Sequence, residues 1–133
     1  MRIVIDTNIA LDLLVFDDPS CAALLAALQA GELQWIATPA MRDELARVLS
    51  YRLVAERLAR KGRDAEHVLA AFDRHVQPMQ EVPPRALCLC SDPDDQIFVD
   101  LAVAQRARLL SKDRALLEMR KQLAALGVEV ATQ

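Results

Sequence analysis

At three points in this sequence a residue suited to capping a helix stands directly before proline: Asp18-Pro19, Thr38-Pro39 and Asp92-Pro93. A side-chain oxygen ahead of a helix satisfies the first free N–H groups, and proline is tolerated in the first turn alone. Each pair therefore marks a helix start. Short apolar runs are interleaved with these starts: Ile3-Val4-Ile5, Gln34-Trp35-Ile36-Ala37, Arg108-Leu109-Leu110-Ser111 and Val128-Glu129-Val130. Strands separated by helices pair in parallel and are covered on both faces. The expected fold is α/β, a three-layer α/β/α sandwich with a central, mainly parallel sheet.

The remaining elements follow from local signals. Ile9, Leu11, Leu13 and Leu14 continue from the first run as a helix, Pro19 to Ala30 is a helix stopped at Gly31, and the Thr38-Pro39 helix reaches about Ser50. Leu53 to Val76 is helical in composition, broken at Lys61-Gly62-Arg63, with Asp64 capping its second half. Gln77 to Arg85 holds Pro78, Pro83 and Pro84 and reads as a loop. A long apolar helix runs from Pro93 to about Ala107, and another helical stretch starts at Arg114 and ends at Gly127.

Composition closes off other classes. Hydrophobic residues make up 53%, which excludes disorder, and 4% aromatics with 3 glycines favours helices over a β-sandwich. The 133 residues suit one domain spanning 1–133. No apolar run approaches the ~18–20 residues that span a bilayer, and Met1-Arg2 leads into a strand without the pattern of a signal peptide. A cytoplasmic protein with no membrane partner is expected, and Cys21, Cys88 and Cys90 fit it as free thiols.

Four acidic residues stand where stability alone would not put them. Asp6 and Asp113 each follow a strand, and in an open parallel sheet the carboxyl ends of the strands line the ligand crevice. Two carboxylates there repel each other unless a cation compensates them, although each also suits the cap of the next helix. Glu44 borders the apolar arc of Met41, Leu45, Val48 and Leu49, so it needs a metal or a partner such as Arg47. In Ser91-Asp92-Pro93-Asp94-Asp95, Asp92 is the natural N-cap and Asp94 faces water. Asp95, with Phe98 and Ala102 at i+3 and i+7, points along the packed side. Asp92 and Asp94 remain alternatives to Asp95. Acidic groups converging at one sheet end describe a hard-cation site for one or two Mg²⁺ or Mn²⁺ ions, which activate water and neutralise a cleaved phosphodiester.

The ordered set of motifs resembles the PIN-domain family, in particular the VapC-like toxin components of bacterial toxin–antitoxin systems. The matching segments are Val4-Ile5-Asp6-Thr7-Asn8, Met41-Arg42-Asp43-Glu44-Leu45 with Val48-Leu49, Asp92-Pro93-Asp94-Asp95-Gln96-Ile97-Phe98-Val99 with Ala102, and Leu110-Ser111-Lys112-Asp113-Arg114-Ala115-Leu116-Leu117. The resemblance implies a small α/β/α sandwich, often a homodimer, with Mg²⁺- or Mn²⁺-dependent endoribonuclease activity on RNA and a neutralising antitoxin protein. It implies a catalytic and metal-binding quartet of Asp6, Glu44, Asp95 and Asp113, supported by Asn8 and Ser111.

The net charge of −3, from 16 Lys+Arg against 19 Asp+Glu, does not oppose an RNA substrate, because distribution matters more than the total. Arg52, Arg57, Arg60, Lys61 and Arg63 cluster with one acid, Glu56, and Lys112 and Arg114 flank Asp113. Arg57 and Arg60 are expected to guide RNA, and Lys112 or Arg114 to contact phosphate near the cut; a solvated helix face is the competing role for the first patch. Two rival functions are a catalytically silent PIN-fold binding module and a haloacid-dehalogenase-like phosphatase. The phosphatase needs a second Asp two residues after the first, where this chain has Asn8.

Overall fold

The computed structural model describes residues 1–132. Its centre is strand β1 (Arg2–Ile5), where Ile3, Val4 and Ile5 are all buried. Successive side chains on a strand point to opposite faces, so burial of all three requires cover on both sides. Helices supply it, which gives the three layers. The chain continues through α1 (Thr7–Leu14), a 3₁₀ turn (Pro19–Cys21), α2 (Ala22–Gln29), β2 (Gln34–Ala37), α3 (Pro39–Leu49), α4 (Arg52–Arg60) and α5 (Ala65–His75). It then forms β3 (Val76–Pro78), a second 3₁₀ turn (Pro93–Asp95), α6 (Gln96–Gln105), β4 (Arg108–Leu110), α7 (Arg114–Leu117), α8 (Arg120–Ala125) and β5 (Val130–Ala131).

The sheet order is β3-β2-β1-β4-β5, and every pairing is parallel. Ile3 lies opposite Trp35 and Arg108, and Ile5 opposite Leu110. From β1 the chain moves outward to β2 and β3 on one side, then returns to place β4 on the other. The strand order thus reverses at β1/β4, and a crevice opens beyond the carboxyl ends of those two strands.

All three cap-and-proline pairs stand at helical starts, but only Asp18 and Asp92 cap through their side chains; the Thr38 side chain makes no cap hydrogen bond. Asp18 and Asp92 cap 3₁₀ turns that lead into α2 and α6, and Pro39 opens α3 directly. The expected loop from Gln77 is corrected: α5 passes straight into β3, whose Val76, Gln77 and Pro78 pair with Trp35, Ile36 and Ala37. Proline is tolerated there because β3 is an edge strand. The helical stretch from Arg114 divides into α7 and α8, and the last strand is displaced to Val130–Ala131. Cys21, Cys88 and Cys90 are free. No helix among the described residues is long and apolar enough to cross a membrane.

Candidate metal centre

Asp6 leaves β1 at the reversal point and is 2% exposed. Its Oδ1 accepts the Ile9 amide at 3.0 Å, capping α1, and its Oδ2 accepts the hydroxyl of Ser111. Ser111 follows β4 and is fully buried; its oxygen accepts the Asp113 amide at 2.9 Å. Asp113 caps α7 through the Ala115 amide at 2.9 Å. The capping role foreseen as an alternative for Asp6 and Asp113 is therefore real, and it holds both carboxylates in place.

Asp95 stands at the junction of the 3₁₀ turn and α6. Carboxylate oxygens of Asp92, Asp95 and Asp113 lie within 4.8 Å of one another. Oδ2 of Asp95 is buried without a hydrogen-bond partner among the described residues. Burial foremost, then the Asp113 carboxylate and after it Asp92 and Asp6, push the Asp95 carboxyl up to about 8. Burial also raises Asp6, against the lowering effect of its hydrogen bonds from Ser111 and Ile9. Mutually repelling carboxylates with an orphaned oxygen and an all-oxygen donor set fit a hard divalent cation. An uncompensated arrangement of this kind is costly.

Asp6, Glu44, Asp92 and Asp95 line one pocket of about 200 Å³, together with Thr7, Asn8 and Arg47. Glu44 reaches it from α3 and accepts a hydrogen bond from Arg47 at 3.1 Å. Burial raises the Glu44 carboxyl, and Arg47 opposes that rise. Glu44 thus lines the pocket and has Arg47 as its partner in the same geometry. Asp94 is exposed but borders the pocket, while Asp92 joins Asp95 and Asp113 instead of displacing either.

The flanking cations are placed differently. Lys112 pairs with Asp12, and Arg114 turns to Glu118 on the exposed side of α7 at 3.0 Å. In the basic segment Arg52 pairs with Glu56, and Lys61 and Arg63 both pair with Asp17. Arg57 lies over the Phe16 ring, 5.0 Å from its centroid, and Arg60 is exposed.

Sequence reasoning missed Gln96 and Asp100. Buried Gln96 accepts the Cys90 amide at 2.7 Å and donates to Cys88 O at 3.3 Å and to Asp100 at 2.8 Å, while Asp100 accepts the Ala86 amide at 2.9 Å. This pair, spaced i and i+4 on α6, ties down the segment leading to Asp92. Their polar character on an otherwise apolar helix was the available signal.

A family model described as PIN domain matches residues 2–115, and the chain belongs to that family. Comparison with curated proteins gives no match. Among solved structures, the chain is similar to the crystal structure of VapBC2 from Rickettsia felis bound to a DNA fragment from their promoter. The TM-score is 0.66 at 15% identity, over 98% of each chain, a likeness that concerns the fold.

Proposed function

We propose that this protein is a metal-dependent endoribonuclease that hydrolyses RNA phosphodiesters and acts as the toxin of a type II toxin–antitoxin pair. One observation carries the nuclease reading: Asp92, Asp95 and Asp113 converge around an unpartnered carboxylate oxygen, beside Asp6 and Glu44. Asp6, Asp95 and Asp113, with Asp92 adjoining, would hold one or two Mg²⁺ or Mn²⁺ ions. Such an ion supplies Lewis acidity toward the phosphodiester and lowers the pKa of water.

The protein's own residues do the positioning. Ile9 and Ser111 fix the Asp6 carboxylate, so this side chain is already ordered before reaction. Glu44, on the α3 side of the pocket, binds an ion or orients the attacking water; its burial raises its affinity for the water's proton. Asn8 adds an amide at the pocket wall.

The toxin assignment draws on PIN-family membership and on a fold shared with a VapBC complex. An antitoxin neutralising this chain would lay a segment over the acidic hollow, and a homodimer is the expected assembly. RNA incubated with the protein in Mn²⁺ or Mg²⁺ should be cleaved internally, and excess chelator or Asp6→Asn should abolish cleavage while the fold survives. Full activity in either condition refutes the metal mechanism, and a folded protein inert in both metals leaves the silent binding module.

A further inference from the structure

Arg47 and Tyr51 stand on the wall of the acidic pocket, and neither is needed to hold an ion or a water. Arg47 is in the last turn of α3 and Tyr51 caps α4, four positions later. Tyr51 is the chain's one tyrosine and is 49% exposed. It is thus a half-exposed aromatic residue at the edge of a pocket that is otherwise polar, apart from Val48.

Arg47 is the one cation lining this pocket among the described residues, against Asp6, Glu44, Asp92, Asp94 and Asp95. Its side chain is 56% exposed, and among the described residues it spends a single hydrogen bond, on Glu44. It also borders a second hollow, lined besides by Ala40, Asp43, Glu44, Pro93, Asp94 and Ile97. Arg47 is thus the one cation, among the described residues, that the two hollows share, beside the carboxylates Glu44 and Asp94 that also line both.

We propose that Arg47 and Tyr51 form a nucleotide subsite beside the acidic pocket: Arg47 takes the phosphate next to the one that is cut, and Tyr51 stacks on the unpaired base attached to it. This rests on the nuclease reading and specifies its substrate as single-stranded RNA. A guanidinium matches phosphate geometry with a fork of donors, and here it relieves the repulsion five carboxylates impose on a polyanion. A flat ring exposed at a pocket edge accepts any splayed base, whereas a base inside a duplex is already stacked.

Binding of a short fluorescein-labelled single-stranded RNA in Ca²⁺, and cleavage of the same strand in Mn²⁺, test the subsite. Tyr51→Ala should weaken binding about tenfold or more and raise KM with kcat little changed, while Tyr51→Phe and Tyr51→Trp keep wild-type binding. Arg47→Ala should weaken binding and reduce the salt dependence by about one charge. The unaltered protein offers a second check: removing the base beside the cleaved bond should cost as much as Tyr51→Ala, with no further loss when both are combined. Wild-type binding by Tyr51→Ala, or equal losses in Tyr51→Phe and Tyr51→Ala, overturns the subsite and leaves the nuclease reading standing. If the unaltered protein neither binds nor cleaves RNA, the nuclease reading has failed and the subsite fails with it.

Discussion

The Ser111 hydroxyl donates to Asp6 and accepts the Asp113 amide, so one buried side chain joins the ends of β1 and β4 at the point where the strand order reverses. Two carboxylates 107 positions apart in the sequence (113 − 6) are thereby held in one register. Ser111→Ala leaves the part-buried Asp113 amide and the buried Asp6 carboxylate each short of a partner. Stability should fall by about 1–3 kcal/mol in denaturant unfolding. Mn²⁺ affinity should weaken in the same variant, because the Asp6 carboxylate loses its fixed orientation.

Asp95 gives a pH signature. Its carboxyl is pushed up to about 8 by burial and by Asp113, from an ordinary value of 3.8. Between those values the unfolded chain has released the proton and the native state retains it, so ion-free stability declines as pH rises from about 4 to about 8 and levels off above. Asp95→Asn should flatten that decline and gain about 1 kcal/mol near pH 8, a discounted figure because the pocket is open to water. Thermal unfolding of both proteins across pH 4–9 checks it; a parallel decline in the variant contradicts it.

Cation binding must expel that proton. Mn²⁺ affinity should therefore rise from pH 6 to pH 8, by up to about tenfold per unit, and flatten above. Calorimetry in buffers of different ionisation enthalpy should detect the released proton at pH 6–7 and lose it by pH 9. Affinity independent of pH would mean that Asp95 does not take part.

Most of the architecture could be read from the chain because its signals are local: a cap before proline, a glycine after a helix, a β-branched run. β3 could not, because Val76-Gln77-Pro78 has one apolar residue and a proline, and becomes a strand only by pairing with β2. The same division holds at the site. Asp6, Glu44, Asp95 and Asp113 were marked by their places relative to strands and apolar faces. The tying-off of Lys112 by Asp12, and of Lys61 and Arg63 by Asp17, depends on tertiary neighbours that no spacing reveals.

These ion pairs leave Arg57 and Arg60 as the cations of the patch without a carboxylate partner among the described residues, and we propose that these two guide RNA. The double reversal Arg57→Glu/Arg60→Glu should weaken RNA binding about tenfold and reduce its salt slope. Stability should drop by about 0.5–1 kcal/mol from the lost stacking of Arg57 on Phe16. Unchanged binding and salt dependence would make this patch a solvated helix face.

A crystal soaked in Mn²⁺ and measured for anomalous scattering addresses the acidic cluster directly. A peak should appear between Asp95 and Asp113, within coordination distance of Asp6 or Asp92 and facing Glu44. Well-ordered carboxylates with no peak among them, or with manganese bound only elsewhere, would contradict the metal centre.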